Sequence, residues 1–248
     1  MSQILKKTLS GVASLTTILW SVSGGLLALP SVASAETIAA GDLVKIASIP
    51  DVYYYAADGK RYVFPNEKTY FSWYTDFSAV RTISDAEMGA MTIGGNVTIR
   101  PGTKLVKITT DPKVYAVAPG GMLRWVESEA IATALYGSAW ASRVVDVPDG
   151  YFVNYTVGAS VSTAVHPDGS LVMYAGSSDV FVVWGGMKRK LTGTAMADNR
   201  YQMANVIVTT AVYPAGTDVA GREAALANTA GASAPGTTPP VGGALSVS

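Results

Sequence analysis

His166 is the chain's single histidine, and it sits in the loop His166-Pro167-Asp168-Gly169. A general base needs a second polar group to hold its ring. Nothing near it in sequence supplies one, so His166 reads as a solvated loop residue and no catalytic residue is assigned. The absence of cysteine removes thiol nucleophiles, thiolate metal sites and disulfides together. Serine-nucleophile elbows, phosphate loops, dinucleotide fingerprints and paired-histidine metal motifs do not occur. What remains are carboxylates in turns, among them Asp58, Asp76, Asp149, Asp168 and Asp218. Oxygen ligands gathered from several turns suit Ca²⁺, although Asp in a turn also bonds its own backbone. No cofactor is expected. Structural calcium is the one inorganic partner the turns allow, and its ligands stay unassigned.

Two other sets of residues could carry recognition. The first is aromatic: Tyr54, Tyr70, Trp73, Trp125 and Trp184 could form a platform against sugars or another protein. Tyr53, Tyr54 and Tyr55 are consecutive, so in a strand they cannot all face one way and some must be core. The second set is charged. Arg61, Arg124 and Arg189 fall at what reads as one equivalent place, with Asp51, Asp111 and Asp179 before the preceding strand. Guanidinium–carboxylate pairs between neighbouring units would brace them. A strand arginine that blocks edge-to-edge pairing is the alternative.

The elements that must position these groups are hairpins. Val52-Tyr53-Tyr54-Tyr55-Ala56-Ala57-Asp58-Gly59-Lys60-Arg61-Tyr62-Val63 sets β-branched and aromatic runs on either side of an Asp-Gly turn. Val114 to Val126 and Val180 to Leu191 repeat the design. A short apolar strand precedes each hairpin: Leu43 to Ile46, Leu105 to Ile108, and Leu171 to Tyr174. A helix follows, capped by Asn66 over Glu67 to Tyr74 and by Ser128 over Glu129 to Tyr136, and more weakly marked from Thr194 to Tyr201. Each unit then closes on a strand-like piece, Val97 to Gly102, Phe152 to Gly158 and Val206 to Gly216. The closing glycines recur about every 60 residues. The fold class expected is mainly β with short α-helices (α+β), in three tandem hairpin-plus-helix repeats, the third a terminal unit packing on one neighbour.

Flanking segments differ in composition. Lys6 and Lys7, an apolar run from Leu9 to Leu29 and Ala33-Ser34-Ala35 form the three-part layout of a secretory signal cut after Ala35. Beyond Gly221 a turn or two of helix is expected over Arg222 to Asn228, and the Pro/Gly/Thr-rich stretch from Gly231 to Gly243 has nothing to bury. The expected organisation is residues 1–35 signal peptide, 36–101, 102–158 and 159–221 repeat units, and 222–248 a linker leading into a possible further domain. With 18 basic and 18 acidic residues there is no basic field for nucleic acid, and membrane contact is expected only through the signal segment if uncleaved.

Gly59 to Tyr74, together with Leu105 to Val117 and Leu123-Arg124-Trp125-Val126, resembles a repeat found in exported surface proteins of candidate phyla radiation bacteria (Patescibacteria). The similarity covers residues 38–157 well and the third unit loosely. It implies an extracellular, cell-surface location and a surface-layer-like layout, and it supplies no catalytic residues. The expected function is an exported structural module of the cell envelope that contacts cell-wall polysaccharide or associates with itself. A carbohydrate-binding adhesin is the alternative, and an envelope hydrolase ranks last.

Overall fold

The computed structural model describes residues 37–222 and Leu226. The expected signal peptide and most of the expected linker lie outside the described residues. The protein is mainly β with short helices: three mixed sheets and five α-helices among the described residues.

The three sheets share one topology. In the first, β1 (Leu43–Ile46) pairs antiparallel with β2 (Tyr53–Tyr55), which pairs antiparallel with β3 (Lys60–Val63). Helix α1 (Glu67–Trp73) then carries the chain to β4 (Val80–Ile83), which lies parallel to β1. A second helix, α2 (Asp85–Ala90), leads to β5 (Thr92–Asn96), parallel to β3. The strand order is β4-β1-β2-β3-β5. In the second unit, β6 (Leu105–Ile108), β7 (Tyr115–Ala118), β8 (Met122–Trp125), α3 (Glu129–Tyr136), β9 (Val144–Val147), α4 (Asp149–Phe152) and β10 (Thr156–Val157) repeat it as β9-β6-β7-β8-β10. The third has β11 (Leu171–Met173), β12 (Val180–Trp184), β13 (Met187–Lys190), α5 (Ala195–Asp198) and β14 (Ile207–Val208), in the order β14-β11-β12-β13. Isolated parallel bridges, Lys188 with Ala215 and Leu191 with Val219, fill the fifth position.

Register proves the equivalence. Leu43 faces Tyr54, Leu105 faces Ala116 and Leu171 faces Val182, and all six are buried. Identical Leu-Val-Lys-Ile sequences make β1 and β6, with the Leu and Val fully buried in both. Each such Leu or Val stabilises by about 1.5–3 kcal/mol. The capped helices form where the sequence places them: the Asn66 side chain accepts from Thr69 N at 2.8 Å and that of Ser128 from Ile131 N at 3.3 Å.

Two parts of the expected unit are revised. The return strands β4 and β9 were not anticipated; they pair parallel to the first strand of each unit. In the third unit Val206 to Gly216, expected as one closing strand, is divided between the return strand β14 and the start of the closing position at Ala215. The closing strand of the first unit is Thr92–Asn96, ahead of the expected Val97 to Gly102, and the closing position of the second extends past Gly158, since Val126 bridges Val161.

The third unit does not pack on one neighbour only. Gln202 Nε2 donates to the carbonyls of Phe71 and Tyr74 in the first unit, at 3.1 and 3.4 Å. Ile207 belongs to the core cluster of the second unit. Leu226, wholly buried, belongs to that of the first, with Leu43, Tyr54 and Val97. The first and second units meet where Asn154 Oδ1 accepts from Asn96 N at 3.3 Å. Each unit therefore touches both others.

Candidate functional site

Of the expected aromatic platform, Tyr54, Tyr70 and Trp73 are core, each at most 3% exposed. Strand alternation puts Tyr54 inward beneath α1, while Tyr53 and Tyr55 are half-buried on the opposite face. Trp73 is held by its indole Nε1, which donates to Thr98 O at 2.9 Å, and Tyr70 by a hydroxyl that donates to Asp76 O at 2.7 Å. Burial pushes the Tyr70 hydroxyl up to about 12. A buried aromatic with its polar atom already satisfied has nothing to offer a ligand. Trp125 is exposed and Trp184 half-buried.

The arginines do not share one position. Arg124 faces Ala116 and Arg189 faces Val182, but the residue facing Tyr54 is Tyr62; Arg61 is one step earlier, facing Tyr55. One residue of slip reverses the face of a strand, so Arg61 lies with its guanidinium 5.0 Å over the Tyr53 ring. Arg124 Nε donates to Ala159 O at 3.1 Å and Nη2 to Ser160 O at 3.3 Å; Arg189 Nε donates to Thr217 O at 2.8 Å. These arginines clamp the closing segment of their own unit through carbonyls.

The aspartates are out of register too. Asp51 and Asp179 precede the matching Val52 and Val180, whereas Lys113 precedes Val114 and Asp111 lies two residues further back. Asp111 accepts from Lys113 N and the Tyr115 hydroxyl, a local turn. Asp179 pairs with Lys190 Nζ at 2.8 Å. At the matching place in the second unit Lys113 Nζ sits 5.4 Å over the Trp125 ring. Sequence landmarks miss such slips because they align residue types and not strand pairings.

The braces between units are residues the sequence did not mark. Arg100 is 8% exposed; its Nη1 and Nη2 donate to Arg200 O and Asn199 O at 2.9 and 2.8 Å, and its guanidinium lies over Trp73 and Tyr201 at 5.0 and 4.4 Å. One side chain thus joins the first and third units. Desolvation lowers its pKa, but guanidinium basicity keeps it charged.

His166 is 2% exposed, not solvated. Its Nε2 lies 2.8 Å from Leu135 O at the end of α3, and its Nδ1 2.6 Å from Tyr213 Oη. A carbonyl only accepts, so Nε2 carries the proton and Nδ1 accepts from the Tyr213 hydroxyl, which itself accepts from His166 N at 2.9 Å. Burial first, and Arg143 also, hold the imidazole below its ordinary pKa, against the Leu135 hydrogen bond. Tyr155 makes the matching contact one unit earlier, its hydroxyl accepting from Ile99 N at 2.9 Å, with burial raising it to about 12.

A recurring surface feature remains. In the first unit a groove of about 340 Å³ is lined by Pro50, Asp51 and Val52, by Phe64, Pro65, Asn66 and Glu67, and by Tyr70 and Phe77. A groove of about 210 Å³ in the second is lined by Pro112, Lys113 and Val114, by Trp125, Val126, Glu127, Ser128 and Glu129, and by Ala132 and Trp140. The two match element by element: the residues entering the hairpin, those leaving it, the first turn of the helix, and an aromatic beyond the helix. Phe77 is 46% exposed and stacks on Tyr70 with centroids 4.4 Å apart. Of the expected surface residues, Tyr70 and Asp51 line the first groove and Trp125 the second, beside Lys113; of the two aromatics only Trp125 is exposed.

Among the described residues no group of three His, Cys, Asp or Glu side chains is placed to hold a metal ion, and no helix is long and apolar enough to cross a membrane. Comparison with family models, characterised proteins and solved structures finds no match.

Proposed function

We propose that the protein is an exported structural module of the cell envelope, holding cell-wall polymer or neighbouring copies on its surface. The observation that carries this reading is the bracing of three equivalent units by each other. Arg100, His166 and Tyr155 tie units together through backbone atoms. In a chain without cysteine, satisfied buried contacts of this kind do the work that disulfides do in many exported domains. The lysine-led apolar segment ending in Ala33-Ser34-Ala35 supports export, and the resemblance to Patescibacterial surface proteins supports the location.

Protease treatment of intact cells, with N-terminal sequencing of the mature protein and a pull-down on isolated envelopes, tests this. The expected result is a chain beginning at Glu36, digested from outside and retained by envelopes. An intracellular protein that keeps Met1 and ignores envelopes would refute it. The adhesin reading draws support from the exposed Trp125, and glycan binding by the purified protein without lattice formation would favour it.

A further inference from the structure

We propose that the two equivalent grooves are carbohydrate subsites, each taking a neutral pyranose of an extended polysaccharide. The proposal rests on the envelope reading and adds to it the ligand class and the residues.

Each groove presents aromatic carbon where a sugar ring can lie. In the first it is Phe77, nearly half exposed and braced from behind by Tyr70; in the second it is Trp125, exposed beside Trp140. The C–H face of a pyranose is apolar and packs on aromatic rings, while its hydroxyls need partners at the rim. Asp51 and Glu67 in one groove and Glu129 in the other supply acceptors there. Volumes of about 340 and 210 Å³ lie at or below the small end of the usual range for small-molecule sites, room for roughly one or two sugar rings.

Charge selects among polymers. Both grooves carry carboxylates, and the cation among their lining residues, Lys113, lies over the Trp125 ring. A phosphate- or uronate-bearing polymer would meet like charge, whereas a neutral one would not. Recurrence supports a ligand independently. Between the units Phe77 gives way to Trp140, Asn66 to Ser128 and Tyr70 to Ala132, so the side chains change while an aromatic wall beside polar groups is kept. Two like sites suit a polymer with a repeating unit, because the second contact forms at raised effective concentration.

The test uses the full-length protein in calorimetric titrations with N-acetylglucosamine hexamer, cellohexaose and mannan, and with polygalacturonate as the anionic probe. At least one neutral probe is expected to bind saturably. Phe77→Ala and Trp125→Ala should each weaken binding roughly tenfold, the loss of one aromatic contact, and the double variant should abolish it. Tyr151→Ala, an exposed aromatic outside both grooves, should leave binding unchanged. Unfolding midpoints for every variant separate lost contacts from lost fold. No binding of any neutral probe, preference for polygalacturonate, or full binding by a folded double variant would overturn the proposal. If the double variant still binds isolated envelopes as tightly as the wild type, the grooves are not the contact and the envelope reading stands. If glycans bind but envelopes do not, the envelope reading falls and the subsites stand.

Discussion

Acidification should loosen the junction between the second and third units through His166 alone. The imidazole is buried with Nε2–H donated to Leu135 O and Nδ1 accepting from Tyr213. A second proton on Nδ1 would meet a hydroxyl that already receives His166 N–H and place a charge near the Arg143 guanidinium, which lowers the same pKa. The other groups against the ring are Tyr136 and Tyr213, both raised by burial and neutral throughout this range. The folded-state pKa is therefore depressed below the unfolded value of about 6.5. The unfolded chain binds the extra proton first, so stability is complete above about pH 6.5 and falls on acidification, by about 1.4 kcal/mol per pH unit, until the folded pKa is passed. Because the chain has one histidine, no other side chain of ordinary pKa titrates in that window. Urea unfolding followed by tryptophan fluorescence from pH 8 to pH 5 measures it. His166→Asn should lose about 1–3 kcal/mol at pH 8, from partners left unsatisfied, and lack the slope below 6.5. Parallel profiles for the two proteins, or a wild type that gains stability on acidification, would refute the assignment of tautomer and burial.

Removing Arg100 should cost about 1–3 kcal/mol for each carbonyl left unsatisfied; Arg100→Lys should rescue little of it, since two carbonyls and two aromatic faces fit a planar fork, and thermal unfolding reads both. Gly102→Ala should be far more damaging than Gly120→Ala in the same assay. Both have positive φ, 72° and 76°, costing roughly 1 kcal/mol, but a Cβ at Gly102 would overlap the Gly169 carbonyl and Ser170 N while one at Gly120 meets open space. Trp73→Ala should destabilise by about 3–5 kcal/mol, whereas Trp125→Ala should leave the unfolding midpoint nearly unchanged. Leu226→Ala should cost about 2–5 kcal/mol, although the residue lies far along the chain from the rest of its core.

Local signals in the sequence carried the local parts of the fold. Asn66 and Ser128 announced their helices, and apolar runs interrupted by Asp58-Gly59 or Gly185-Gly186 announced hairpins. Strands β4 and β9 escaped because a parallel partner lies a whole crossover away, and Val80-Arg81-Thr82-Ile83 declares no partner of its own. The box formed by Ser84 and Glu87, with both reciprocal bonds present, was a readable mark of where β4 must end. The arginine alignment failed for a related reason: Tyr62 and not Arg61 occupies the shared site, and only strand pairing reveals it. His166 and Arg100 could not be read at all as braces, since their partners Leu135, Asn199 and Arg200 offer backbone carbonyls, which every residue has. The grooves were legible in half: Trp125 was singled out, but Phe77 and Trp140 gain their meaning from where helix ends deliver them.

Leu226 sets an order of events. The ribosome delivers residues 43 to 97 early, yet the hydrophobic cluster they build includes a leucine supplied after all three sheets have been made. The first of the three sheets to be made is thus the last to have its core completed.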